Sequence, residues 1–346
     1  MLKKFFALCL AIYGSAFCLD TPEAGVTYKI TGETFVKAPD RFQKGDKIEK
    51  ISDQKIDLGI FALCYKNYQN NFNQDYLESV FGSISRLDSK VSTCVTLVID
   101  DDKAEVLAEI KDIIRVCNQL PRRDIPVYIN WNGGNLKIRK SRDNLLELVQ
   151  LFGTKYIFLA DSDDILHPDC IPIMYQTMER NENLYLLLGE YTLLGYLNNR
   201  PQDIEPYRNK ELNADNFELK FFFENSHHDN KWFPIENKLL VAKRIPSLPS
   251  KGSGYLPAMI RYFDQIPTEC CRRDGSMLVW FVNTIGVLEG TDPNSEGNHT
   301  DDVRKDTNIK DDSQCAILTP LDGEFFLYFY RLYGQSNSHR IIEGAN

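Results

Sequence analysis

Tyr156-Ile157-Phe158-Leu159-Ala160-Asp161-Ser162-Asp163-Asp164 is a short apolar run that stops abruptly on three carboxylates. A run of that length, rich in aromatic and branched residues, reads as a buried strand. If the extended conformation continues past Ala160, Asp161 and Asp163 project from the same side, about 6.5 to 7 Å apart along the strand. Two carboxylates so placed can share a hard divalent cation, directly or through water, and leave open positions for phosphate oxygens. An acidic turn that caps the next helix competes for the same residues, because Asp164 or His167-Pro168-Asp169 can cap. Placement after an apolar strand favours the binding reading over the cap.

Upstream, the same pattern repeats. Ile56 to Tyr65 is an apolar run ending in polar residues, and Tyr76 to Leu87 sets Leu77, Val80, Phe81, Ile84 and Leu87 at helical spacing. Thr93 to Ile99 is rich in β-branched residues and stops at Asp100-Asp101-Asp102, after which Val106, Ile110, Ile113, Ile114 and Cys117 form one helical face. Pro126 to Ile129 is a third short strand, closed by Asn132-Gly133-Gly134-Asn135, and Leu145 to Phe152 a third helix. Strands alternating with helices in this way predict a mostly parallel sheet covered on both faces. In such sheets ligands bind beyond the carboxyl ends of the strands, and both acidic clusters lie at carboxyl ends.

The flanks are less regular. Residues 19–55 are polar and broken by Pro22 and Pro39, an extension with one hairpin around Val26 to Val36. Downstream, Leu184 to Leu194 reads as one strand. The expected division is therefore a leader over 1–18, an extension over 19–55, a regular half over 56–178 and an irregular half over 179–346.

Composition narrows the function classes. Of 346 residues, 43% are hydrophobic, which excludes wholesale disorder and fibrous classes and leaves ample material for a core. With 40 Lys and Arg against 49 Asp and Glu and no long basic run, a general nucleic-acid binder is disfavoured. Met1-Leu2-Lys3-Lys4 followed by the apolar Phe5 to Leu19 has the form of a signal peptide, with small residues at Ala16 and Cys18 for a cut after Cys18. A buried N-terminal helix or an uncleaved anchor is the competing reading. Removal of residues 1–18 takes away two lysines and no acid, leaving a net charge of −11 rather than −9. No later segment approaches a transmembrane length.

Nine cysteines include Cys9 and Cys18 in this leader, and none forms a CxxC metal pair. Cys64, Cys94 and Cys117 sit in apolar patterns and read as small hydrophobes. Cys270, Cys271 and Cys315 are loop-like candidates for disulfides whose pairing the sequence does not fix.

The run of residues 156–164 also resembles the first motif of haloacid-dehalogenase-like phosphatases, in which the first Asp is a nucleophile. Ile165 stands where that motif has Thr or Val, and three strand-helix units come first rather than none. A broader resemblance covers residues 56–178. The order of elements is Ala62-Leu63-Cys64-Tyr65-Lys66-Asn67-Tyr68, the helix Tyr76-Leu77-Glu78-Ser79-Val80, the strand Leu97-Val98-Ile99-Asp100-Asp101, Asn132-Gly133-Gly134, the step Arg142-Asp143-Asn144, and the acidic run itself with Pro168 following. Read in that order, the chain resembles the nucleotide-sugar half of a family 2 glycosyltransferase with the GT-A fold.

The resemblance implies a set of roles. Asp100, with Asp101 beside it, would meet the base or ribose of the donor nucleotide, and Tyr65 and Asn67 would line the same pocket. Arg142 would face the diphosphate. Asp161 and Asp163 would hold Mn²⁺ or Mg²⁺ on that diphosphate. Later in the chain, Asn237 to Arg244 resembles the short strand before the family's acceptor helix. Asp274 would be the catalytic base that takes a proton from the acceptor hydroxyl, although Arg273 stands where the family commonly has Glu. Tyr328-Phe329-Tyr330-Arg331 resembles a late segment whose Arg331 contacts the diphosphate, and His299 is a candidate third metal ligand. Each residue has a plainer alternative: Asp100 to Asp102 and Asp274 as helix starts, Arg142 as a solvated charge, His299 and His227-His228 as surface histidines.

The implied function is a metal-dependent, inverting transfer of a sugar from a nucleoside diphosphate sugar to a hydroxyl on a glycan, lipid or protein. A catalytically degenerate relative that binds glycans or nucleotides is the second reading, and the phosphatase the third. The leader predicts export through the secretory pathway. Without it, the protein would be cytoplasmic.

Overall fold

Every side chain of Thr93–Ile99 is buried, and so is every one of Val127–Trp131. Strands with no solvated face belong to the interior of a sheet covered on both sides, and the elements around them supply that cover. The computed structural model describes residues 20–44, 56–121, 124–182, 184, 186–189, 191–194, 196–197, 200–201, 205–221, 239–243, 315–322 and 325–331.

In chain order the elements are β1 (Thr27–Thr31), β2 (Thr34–Lys37), β3 (Leu58–Cys64), α1 (Phe72–Ile84), β4 (Thr93–Ile99), α2 (Val106–Gln119), β5 (Val127–Trp131), α3 (Lys137–Phe152), β6 (Tyr156–Leu159), β7 (Ile165–Leu166) and α4 (Cys170–Arg180). They continue with β8 (Leu186–Gly189), β9 (Tyr191–Leu194), β10 (Tyr196–Leu197), β11 (Arg200–Pro201), α5 (Glu205–Arg208), β12 (Phe217–Phe221), β13 (Leu239–Lys243), β14 (Cys315–Pro320) and β15 (Tyr328–Arg331). Ten strands form one sheet in the order β12-β14-β8-β13-β6-β3-β4-β5-β1-β2. Its centre, β6-β3-β4-β5, is parallel, and β13 enters antiparallel between β6 and β8. A second sheet orders β7-β15-β9.

Alternation along β3 assigns the two faces. Leu58, Ile60 and Ala62 join Tyr76, Leu77 and Val80 of α1 and Ile110 and Ile113 of α2 in the main core. The next side chain round, Phe61, meets Phe152 of α3 edge-on, with ring centroids 5.7 Å apart. Helices α1 and α2 therefore cover one face and α3 the other. The apolar stripe of α2 buries Val106, Ile110, Ile113 and Ile114, as its spacing predicts.

Three expectations are revised. Helix α1 begins at Phe72 and α3 at Lys137, both earlier than the apolar spacing indicates, because one apolar residue among polar ones in each first turn, Phe72 and Ile138, makes no periodic signal. The apolar run Leu184 to Leu194 is two strands rather than one: β8 pairs within the main sheet and β9 with β15 in the second. Continuous apolarity carries no mark of where a chain passes from one sheet to another.

The hairpin expected near Val26 to Val36 forms as β1 and β2, and β1 pairs antiparallel with β5, so it extends the main sheet. Behind it, Phe42 stacks on Phe152 at 4.4 Å, and Gln43 accepts from the Thr27 amide while donating to the carbonyls of Thr27 and Ala38.

Cys64, Cys94 and Cys170 are buried, Cys117 is half-buried, and none of the four is bridged. Burial pushes their thiols up, to about 12 for Cys94 and Cys117, so they remain protonated hydrophobes. Among the described residues no helix is long and apolar enough to cross a membrane.

Candidate functional site

The parallel strands fan out in opposite directions from the β3–β6 junction: β4 and β5 follow on one side of β3, and β6 lies on the other. Such a reversal opens a crevice at the carboxyl ends. Two side chains stitch this crevice. Asn67, just past β3, donates from Nδ2 to Ser162 Oγ at 2.7 Å and to the Ser162 carbonyl at 3.3 Å. Ser162 in turn donates to the Leu63 carbonyl. Both residues are buried, so the β3 loop and the acidic loop after β6 are held as one piece.

On that piece, ligand-type oxygens of Asp161, Asp163 and Asp164 lie within 4.8 Å of one another. Asp161 and Asp163 are half-buried and Asp164 is fully buried. Tyr328, arriving from β15, sets their geometry: its hydroxyl accepts from the Asp161 amide at 3.2 Å and donates to Asp164 Oδ2. Burial, reinforced by the neighbouring carboxylates, holds the phenol proton far above its ordinary range. The donor set is all carboxylate oxygen, which suits Mg²⁺ or Mn²⁺ and disfavours soft, thiolate-seeking metals. Asp161 and Asp163, the less buried of the three, would be the residues to hold such an ion.

The three carboxylates after β4 divide their labour. Asp100 Oδ1 accepts from Asn132 Nδ2 and from the Leu136 amide, each at 3.0 Å. The backbone carbonyl of Asp102 receives the amides of Glu105 and Val106 and so opens α2, and its Oδ1 takes the Asn135 amide at 3.4 Å. Asp101 turns inward.

Its side chain is fully buried, with Oδ1 accepting from the Lys66 amide at 2.8 Å, and its carbonyl accepts from Trp131 Nε1. Buried Glu109 lies against it, receiving the Tyr68 amide at 3.2 Å and Asn73 Nδ2 at 2.6 Å. Burial raises both carboxyls, Glu109 to about 8 and Asp101 to about 6, and Glu109 keeps its proton and donates it to Asp101. Asp101, which the resemblance placed at the nucleotide, has its side chain buried, with Oδ1 serving the loop that carries Tyr65 and Asn67. Asn67, from the same loop, donates its amide to Ser162 and so ties the two loops.

No protein-family model matches the chain, and no curated protein matches it. Among solved structures the chain is similar to S. aureus TarS 1-349 at 11% identity and a TM-score of 0.44, over 80% of this chain and 60% of that one. It is similar to the same protein in complex with UDP-GlcNAc (11%, 0.45, 81% and 60%) and in complex with UDP (11%, 0.42, 80% and 60%). The chain thus spans about 60% of the length of these neighbours. The mostly parallel, helix-covered sheet expected from the sequence is present: β6-β3-β4-β5 run parallel, with β13 antiparallel between β6 and β8.

Of the remaining candidates, Tyr65 is exposed at the end of β3, with Lys66 Nζ 5.5 Å from its ring centroid. Lys66 holds a left-handed backbone, φ +55°, and pairs with Glu105 at 3.0 Å. Arg142 falls within α3 and Arg331 at the end of β15, but their side chains lie outside the described residues. Asp274, Arg273, His299, His227-His228, Cys270, Cys271 and residues 1–18 also lie outside them.

The main residues missed from sequence are Ser162, Glu109 and the part played by Tyr328. Ser162 stands between two acids and carries no sequence signal of its own. Glu109 sits at helical spacing four residues before Ile113 and one before Ile110, so its inward register was the available signal.

Proposed function

We propose that the protein is a metal-dependent glycosyltransferase that moves a sugar from a nucleoside diphosphate sugar to a hydroxyl acceptor with inversion. The observation that carries this reading is the Asn67–Ser162 tie, which fixes the rim carboxylates Asp161 and Asp163 beside the β3 loop at the sheet's switch point, with Asp100 one strand away.

Asp100 orients the nucleoside through the oxygen that Asn132 and Leu136 leave over, and exposed Tyr65 offers an aromatic face to the base. Arg142 and Arg331 serve the diphosphate by bidentate hydrogen bonds. A divalent cation on Asp161 and Asp163, when bound, neutralises charge that develops on the leaving diphosphate. In the transfer, the acceptor oxygen bonds to the anomeric carbon as the bond to the diphosphate oxygen breaks. Asp274 takes the hydroxyl proton, and the nucleoside diphosphate leaves. We further read residues 1–18 as an export signal, which places the enzyme where donor is supplied to a lumen. N-terminal sequencing of the protein from its natural source tests that reading, and an intact Met1 refutes it.

Calorimetric titration with UDP and GDP in the presence of Mn²⁺, followed by donor hydrolysis across a panel of nucleotide sugars, tests the function. Asp161→Ala and Asp163→Ala are each expected to lower turnover by about 10²-fold or more. Activity that survives both changes removes the metal site. Tight binding without turnover selects the degenerate reading, for which Arg273 beside Asp274 is the ground. Phosphoenzyme formation without nucleotide binding selects the phosphatase.

A further inference from the structure

A line of polar side chains runs from the N-terminal extension to Asp100. Lys44 Nζ donates to Asn144 Oδ1 at 3.2 Å, Asn144 Nδ2 donates to Asn132 Oδ1 at 3.1 Å, and Asn132 Nδ2 donates to Asp100 Oδ1 at 3.0 Å. A cation stands at one end and a carboxylate at the other, and both amides between them point their donors the same way. Each hydrogen bond in such a chain polarises the next. Lys44 is held for this task. Phe42, two residues earlier, is buried against Phe152 of α3, Gln43 is bonded to three backbone groups, and Lys44 reaches the same helix at Asn144 and at Glu147, 2.7 Å away.

We infer that Lys44, through Asn144 and Asn132, is a positioning residue for Asp100, so that the N-terminal extension forms part of the donor-nucleotide site. The relay fixes Oδ1 of Asp100 against Asn132 and the Leu136 amide, and so fixes the direction in which Oδ2 meets a ligand N–H or O–H. This inference rests on the proposed nucleotide-binding role of Asp100 and adds to it a part of the chain that reaches Asp100 only through Asn144 and Asn132.

The test compares the full chain with Lys44→Met, Lys44→Arg and Glu147→Gln, using two readouts. The first is hydrogen exchange of segment 132–136 in the ligand-free protein. Lys44→Met is expected to speed exchange at Leu136, whose amide is bonded to Asp100, and Lys44→Arg to restore it. The second is affinity for UDP and GDP with Mn²⁺, together with the KM and kcat for the donor sugar that the panel identifies. Lys44→Met is expected to weaken nucleotide binding and raise donor KM by about fivefold, the scale of one net hydrogen bond, with kcat unchanged. Glu147→Gln, which removes only the competing partner of Lys44, should leave both readouts at the wild-type level. Unchanged exchange in Lys44→Met overturns the relay whatever the ligand proves to be, as does a fall in kcat and melting temperature without a rise in KM. If wild-type protein binds neither nucleotide, the proposed function fails separately, and the exchange readout alone decides the relay.

Discussion

Asn67 and Ser162, 95 residues apart in the chain, meet across the β3–β6 junction at 2.7 Å, and both are buried. Their bond makes the aromatic end of the crevice and its acidic end a single rigid edge. Replacing Asn67 with Leu removes the donor and keeps the bulk. The expected cost is about 1–3 kcal/mol in urea unfolding, the scale of a buried polar group losing its partner, together with weaker Mn²⁺-dependent nucleotide binding. Unaltered binding in a variant that still folds would show that the two loops hold their places independently.

Tyr328→Phe keeps the ring and deletes one oxygen. The Asp161 amide and the Asp164 carboxylate both lose their bond to it, so stability should fall by about 1–3 kcal/mol. Mn²⁺ affinity, measured by calorimetry, should fall as well, because Asp161 no longer has a fixed backbone. A variant with wild-type metal affinity would confine Tyr328 to packing.

Glu109 gives the protein a pH dependence with a definite sign. Its carboxyl is raised from the ordinary 4.5 to about 8 by burial, so between these values the folded chain holds a proton that the unfolded chain has lost. The favourable contribution is complete below the unfolded value and is lost as pH rises through about 8. Stability should therefore decline from pH 5 to pH 9. Glu109→Gln, which keeps a donor toward Asp101, should flatten that decline. Urea unfolding at pH 5.5 and 8.5 measures the difference, and equal slopes in the two proteins would place the shared proton elsewhere.

Gly133→Ala tests the turn that presents Asn132. Gly133 has φ +88°, and an added Cβ would lie 2.8 Å from the Cβ of Ala24. A loss of about 1–3 kcal/mol is expected from strain and crowding together, read as a lower melting temperature.

Much of this architecture was legible from period and punctuation. Thr93 to Ile99 announced β4 to the residue, because a doubly buried parallel strand is continuously apolar and Asp100 ends it. The acidic run announced its own place for the same reason. What stayed hidden is what one sequence cannot encode locally. Asp100 and Asp101 look equivalent as letters and both are buried, yet Asp100 accepts from Asn132 and the Leu136 amide while Asp101 turns in to the Lys66 amide, a difference set by strand register and by Glu109 on the next helix. Lys44, Asn132 and Asn144 are ordinary polar residues until the fold lines them up. The hairpin β1-β2 read as a hairpin, but its partner β5 lies some 100 residues further on, and no short-range pattern names it.

The bond between Tyr328 and Asp164 spans 164 residues of chain. A nascent polypeptide emerging from the ribosome can lay down β3 to β6 early, since those strands are close neighbours in sequence. The acidic loop, however, waits for a hydroxyl synthesised long afterwards. The cluster reaches its mature form only once Tyr328 has been made, so a product released short of that residue would carry the scaffold while lacking the phenol that organises its carboxylates.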